Sequence, residues 1–137
     1  MYCAEYSELE FKKIGDSLGS LIAIQNGGIP FEIKRVYYIF NTGSDVIRGK
    51  HAHKNLEQIL VCVSGSCTVT CDDSTTKKEF ELNNPSKGLH IKGLIWREMF
   101  NFSADCVLLC LASNIYDESD YIRNYDEFLE YANAYKQ

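Results

Sequence analysis

Along this chain apolar residues alternate with polar ones in short bursts, and polar turns separate the bursts. Such alternation marks a half-buried strand, because successive side chains leave a strand on opposite faces. Strand-like stretches fall at residues 10–14, 20–24, 31–40, 59–63, 67–71, 78–82, 89–91, 95–102 and 106–112. Residues 31–40 are rich in the β-branched and aromatic side chains that suit a pleated surface. The intervening turns include Gly15-Asp16-Ser17, Asn41-Thr42-Gly43-Ser44-Asp45 and Ser64-Gly65-Ser66. The last of these predicts a hairpin between the strands that flank it. From Asp117 onward the period changes: Ile122, Tyr125, Phe128, Leu129 and Ala132 recur at helical spacing. Acidic Asp117, Glu118 and Asp120 precede them, where a helix N-terminus favours negative charge. The pattern predicts a mainly β protein, a small sandwich or barrel, with a C-terminal α-helix packed outside the sheet.

Composition narrows the function classes. At 137 residues with two prolines and no Ser/Gly-rich linker, the expectation is one domain over residues 1–137. Hydrophobic residues make up 45% and charged residues 24%, which suits a folded chain rather than a disordered one. A net charge of −5 speaks against a general nucleic-acid surface. No apolar run approaches the ~20 residues of a membrane helix, and no basic-then-apolar leader is visible, so no signal peptide is expected. Six cysteines are an even number, which permits a disulfide framework. Their positions oppose it. Cys62, Cys106 and Cys110 fall in buried-looking runs, and Cys67 and Cys71 on one strand would stand ~13 Å apart, beyond the ~7 Å limit for a disulfide. All six read as reduced thiols, mostly small core hydrophobes.

Two of the three histidines lie in Arg48-Gly49-Lys50-His51-Ala52-His53. In a strand His51 and His53 project to the same side, and two inward imidazoles serve either as metal ligands or in acid/base chemistry. The series His51-x-His53, Gln58, Gly65 resembles the first motif of the cupin superfamily, small β-barrels of two antiparallel, jelly-roll-like sheets. Against that motif Gln58 stands where a ligating Glu is usual. In the stretch resembling the second motif Arg97 stands where a further His is usual. Arginine has no lone pair for a metal, so no metal is expected.

A more specific likeness follows. Lys34-Arg35-Val36-Tyr37-Tyr38-Ile39-Phe40, the Arg48 to Lys54 stretch, Gln58 to Gly65, Trp96-Arg97-Glu98-Met99, and Asp117 to Tyr125 together resemble the dTDP-4-keto-6-deoxyglucose 3,4-ketoisomerases. The resemblance implies cytoplasmic homodimers that move a ketone from C4 to C3 of a dTDP-linked keto-deoxyhexose through an enediol, in making sugars for bacterial surface glycans. No cofactor is required, since carbon is oxidised and reduced within one molecule. His51 and His53 are expected to be the catalytic pair, His51 as the base and His53 as its partner, with the spacing leaving the reverse assignment open. Arg48 is expected at the diphosphate, with Arg97, Tyr38, Gln58 and Trp96 completing the substrate site. The related dTDP-sugar 3,5-epimerases, and a non-catalytic sugar-nucleotide-binding cupin, are the alternatives.

Overall fold

A computed structural model describes residues 4–135. In chain order the strands are β1 (Glu5–Glu10), β2 (Ile14–Asp16), β3 (Gly19–Leu21), β4 (Arg35–Phe40), β5 (Arg48–His53), β6 (Glu57–Ser64), β7 (Cys67–Asp72), β8 (Lys77–Leu82), β9 (Lys87–Lys92), β10 (Trp96–Phe100), β11 (Val107–Ala112) and β12 (Tyr121–Ile122). Helix α1 (Tyr125–Tyr135) follows. One five-stranded sheet runs β1-β9-β6-β11-β4, the other β12-β5-β10-β7-β8, and β2-β3 form a separate hairpin. Every pairing is antiparallel.

The sheets bury their inner faces against each other. Leu60, Val69, Leu89, Ile91, Met99 and Leu108 form the centre of that core, joined by Cys62, Cys67, Cys71, Cys106 and Cys110. All five of these cysteines are buried free thiols. Cys3 lies outside the described residues. A second apolar cluster joins α1, through Phe128 and Ala132, to the outer face of β5 and β10 at Ala52 and Trp96.

Three differences from the sequence pattern have physical causes. The stretch read as one strand at residues 10–14 is split between β1 and β2, and the Phe11 N–H turns aside to the Ser86 carbonyl at 2.7 Å. Residues 31–34 do not join β4. Phe31 and Ile33 instead cover the outer face of the first sheet with Ile24 and Ile29. The helix starts eight residues later than Asp117. Glu118–Asp120 is a single 3₁₀ turn capped by Asp117, and Tyr121 and Ile122 pair with His53 and Ala52. Asn124 then caps α1, its side chain accepting from Glu127 N at 3.0 Å. Ile122 fits the helical period only by coincidence: it is a strand residue under the helix.

Candidate active site

The site is built on β5, and a bulge shapes it. His51 pairs with Arg97 and Gly49 pairs with Glu98, so Lys50 has no partner on β10. Gly49 and Lys50 both take positive φ, 82° and 55°. A Cβ on Gly49 would lie 2.9 Å from the Arg97 carbonyl oxygen, so only glycine fits. The extra residue reverses the parity of the strand. Arg48 and His51, three apart, would face opposite ways in a regular strand. Here both line one cleft.

His51 and His53 meet edge to face, with ring centroids 4.8 Å apart. The Nδ1 of His51 lies 3.0 Å from the Gly49 carbonyl, which only accepts. Nδ1 therefore carries the proton and Nε2 keeps a lone pair. His53 is fully buried, its Nδ1 3.0 Å from Asp120 Oδ2. The other carboxylate oxygen accepts from Asn55 N at 2.8 Å. Burial opposes ionisation of Asp120, yet these hydrogen bonds hold its carboxyl below the ordinary range. His53 Nε2 is buried with no partner. Burial, then the Arg97 cation, lowers His51 to about 3. Burial lowers His53 to about 4, although the Asp120 hydrogen bond pulls the other way. Both rings are neutral at neutral pH.

Behind them lies a buried polar chain. Arg97 is fully buried and donates from Nη1 to Gln58 Oε1 at 2.6 Å. Its Nη2 and Nε donate to the Ile95 carbonyl at 3.0 and 3.3 Å. Gln58 Nε2 donates to the Tyr37 hydroxyl at 2.8 Å. Burial raises the Tyr37 phenol, which stays protonated. Among the described residues no carboxylate forms an ion pair with Arg97. A fixed cation and the neutral amide of Gln58 thus stand among the cupin ligand positions. These residues do not fit a divalent metal.

Two recesses open here. The one on His51 has a volume of about 330 Å³ and is lined by Arg35, Tyr37, Arg48, Met99, Tyr116, Tyr121 and Arg123 among others. The one beside His53 and Asp120 has about 250 Å³. Arg35 and Tyr121 wall both. Arg35 stacks over Tyr37 and Tyr116 at 5.3 and 5.7 Å, and its Nε is buried without a partner. Arg123 lies 4.3 Å over the Tyr121 ring and is held by both oxygens of Glu118.

Of the residues expected at the site, the structure brings together His51, His53, Arg48, Arg97 and Gln58. Tyr38 and Trp96 lie elsewhere. Strand β4 turns Arg35, Tyr37 and Ile39 inward, leaving Tyr38 on the outer face, 61% exposed beside Phe40. Trp96 alternates with Arg97 and packs outward on Tyr125 and Phe128, its Nε1 donating to Glu98 at 2.9 Å. Sequence reasoning missed Asp120 and Tyr121 as site residues, since it placed them in a helix. An extended Tyr-Ile pair after the acidic run was the available signal. It also chose Tyr38 over Tyr37; aromatic residues on both faces of β4 hide its parity.

Comparison with known proteins places the fold and the sequence together. The family model described as "FdtA: WxcM-like, C-terminal" matches residues 4–133. The TDP-4-oxo-6-deoxy-alpha-D-glucose-3,4-oxoisomerase of Aneurinibacillus thermoaerophilus is 55% identical over 128 residues, 93% of this chain and 92% of that protein. The crystal structure of a 3,4-ketoisomerase from Helicobacter canadensis is 51% identical, with a TM-score of 0.91 over 94% of this chain and 98% of that one. A histidine-to-asparagine mutant of the 3,4-ketoisomerase QdtA from Thermoanaerobacterium thermosaccharolyticum, solved with TDP-4-keto-6-deoxyglucose, is 48% identical, with a TM-score of 0.92 over 94% of each chain. The epimerase NovW of Streptomyces spheroides, at 17% identity and a TM-score of 0.71 over 85% of this chain and 67% of that one, shares the fold alone. On a cupin-like barrel, this chain belongs to the FdtA/WxcM-like family of dTDP-4-keto-6-deoxyglucose 3,4-ketoisomerases.

Proposed function

We propose that the chain is a 3,4-ketoisomerase that moves the ketone of a dTDP-4-keto-6-deoxyhexose from C4 to C3 by histidine acid/base chemistry. The observation that carries the reading is the pair of neutral imidazoles beside an unpaired, buried Arg97 cation. The relatives' names and the ligand held by the QdtA mutant support the substrate.

The C3 hydrogen is acidic because the C4 carbonyl is adjacent. His51 Nε2, with its lone pair toward the open cleft, takes that proton, and the C–H electrons form the C3–C4 double bond of an enediolate. Arg97 and the Tyr37 hydroxyl supply fixed positive potential where the negative oxygen develops. His53, oriented by Asp120, takes the solvent-exchangeable O3 proton and delivers it to C4, while the proton held by His51 passes to O4, which restores both neutral imidazoles. Hydrogen leaves C3 and O3 and arrives at C4 and O4, so the reaction is balanced without a redox partner. Arg48 and Arg35 are the cations for the diphosphate, and a planar guanidinium suits paired phosphate oxygens.

A homodimer is part of this proposal. Strand β4 is a sheet edge whose outer face exposes Val36, Tyr38 and Phe40, a surface that a second copy would cover. Sedimentation of Phe40→Asp should shift a dimer to a monomer. Cytoplasmic synthesis of deoxysugars for bacterial surface glycans is the proposed setting. Among the described residues no helix is long and apolar enough to cross a membrane.

The experiment is incubation with dTDP-4-keto-6-deoxyglucose in D₂O, followed by NMR. A 3-keto product with deuterium at C4 is expected. Exchange at C5, or an unchanged substrate, would refute the reading. His51→Asn and His53→Asn should each lose turnover; wild-type rates in both would refute the roles.

A further inference from the structure

Three thiols that the reaction does not use gather at the end of the barrel away from the histidines. Cys62 lies on β6, Cys67 opens β7, and Cys106 ends the turn that leads into β11. The Sγ of Cys62 is 3.5 Å from that of Cys67 and 3.6 Å from that of Cys106. All three sulfurs lie within 4.8 Å of one another. Gln58 and Cys62 share the inner face of β6, so four residues of strand, ~13 Å, separate this cluster from the catalytic groups.

The spacing suits one ion held by three thiolates. With metal–sulfur bonds of about 2.3 Å, the two sulfur pairs that include Cys62, 3.5 and 3.6 Å apart, subtend ~100° at the ion. That is a pyramidal angle, narrower than the tetrahedral one, and it suits a trivalent centre with a lone pair on its open side. Charge selects the same class. The sulfurs sit in an apolar core with Phe102 and Leu108, and their relative exposures are 0%, 1% and 4%. Three thiolates leave a net −1 around a divalent ion and −2 around a monovalent one, and burying net charge is costly. Around a trivalent ion the complex is neutral. Zinc would also lack its usual fourth ligand, since no histidine or carboxylate belongs to the cluster among the described residues.

We propose that Cys62, Cys67 and Cys106 form a trithiolate site for a trivalent thiophilic ion presented as its neutral hydroxide, the chemistry of arsenite. The hydrogen bond with Cys67, then burial, pushes the Cys62 thiol up, and burial pushes the Cys106 thiol up to about 12, so both stay protonated. The exchange accommodates this. Each S–H proton leaves with one hydroxide as water, three As–O bonds break, three As–S bonds form, and arsenic stays trivalent. Cys106, at the foot of the exposed turn from Ser103, is the point of entry. The bound ion would tie β6, β7 and β11 together and leave turnover untouched.

Native mass spectrometry of the protein with sodium arsenite tests this. One adduct is expected, heavier by one arsenic less three protons, together with a raised Tm and unchanged turnover. Cys106→Ala should lose the three-proton signature, and so should Cys67→Val, a nearly isosteric change suited to an apolar core. Cys71→Ala, outside the cluster, should keep it. The proposal is overturned by the absence of a 1:1 adduct in the parent protein. It is equally overturned if the adduct persists with three protons lost in Cys106→Ala or Cys67→Val, or if zinc alone displaces arsenite at matched concentration.

Discussion

Replacing Asp120 by asparagine tests the proton relay with the smallest change of shape. In the parent protein the two carboxylate oxygens accept from His53 Nδ1 at 3.0 Å and from Asn55 N at 2.8 Å. The asparagine carbonyl can keep the Asn55 bond, because a backbone N–H demands an acceptor there. Its NH₂ then faces Nδ1 and can only donate. His53 must move its proton to Nε2, losing the lone pair that the relay uses. An equivalent carboxylate-to-amide exchange in a serine-protease triad costs ~10⁴ in kcat through the wrong tautomer. A positioned acid/base group contributes ~10²–10⁴. The expected fall in kcat is therefore about 10²–10⁴-fold, or roughly 3–5 kcal/mol of barrier. KM should change little, because Asp120 lines the recess beside His53 rather than the cleft with Arg48. Initial rates by NMR, at several substrate concentrations, separate the two constants. The pH profile adds a readout that a purely structural role would not move. The carboxylate raises the pKa of His53, so its loss should carry the acid limb of kcat to lower pH. A folded variant with kcat within threefold of the parent would refute the assignment of His53.

Further outcomes follow from the same geometry. Arg97→Met removes a buried cation with no ion pair, so Tm should hold or rise while kcat falls by about 10²-fold or more; thermal melts and initial rates check both. Trp96→Phe should leave turnover unchanged and cost about 1–2 kcal/mol of stability in urea, from lost packing against α1 and the lost Glu98 hydrogen bond. Stability should also fall on acidification. His51 and His53 are lowered in the fold to about 3 and 4, so the unfolded chain binds more protons below its own histidine pKa of about 6.5. Their contribution is complete above that value and is lost as pH falls toward 4. Urea melts should show a loss on the order of 3 kcal/mol between about pH 7 and pH 5. A flat profile would contradict the burial of both rings.

Much of this protein was legible from local pattern, and what was hidden depends on parity and pairing. The nine strand-like stretches all contain strand, and Cys62, Cys67, Cys71, Cys106 and Cys110 are the free core thiols their positions suggested. Arg48 lines the cleft for a reason that alternation alone would deny: the Gly49–Lys50 bulge restores its face. Trp96 was misplaced because it stands in the same motif as Arg97, whereas adjacent residues on a strand face opposite ways and Arg97 takes the inner face. Asp120 was hidden by a long-range event, the pairing of Tyr121 with His53. Helical periodicity after Asp117 had no means of reporting it.

The substitutions at the cupin ligand positions make sense together rather than one at a time. A glutamate at position 58 would neutralise Arg97 with a buried ion pair. Gln58 instead accepts from Arg97 and donates to Tyr37 in the same bond network, and leaves the charge of the guanidinium uncompensated. That arrangement is costly in the resting protein, because an unpaired buried cation is poorly solvated. In the proposed mechanism it becomes favourable when the enediolate forms, since the missing anion is then the intermediate itself. Neutral histidines belong to the same logic. Burial first, and the Arg97 cation after it, lowers both imidazoles, which keeps both Nε2 lone pairs available for the proposed transfer.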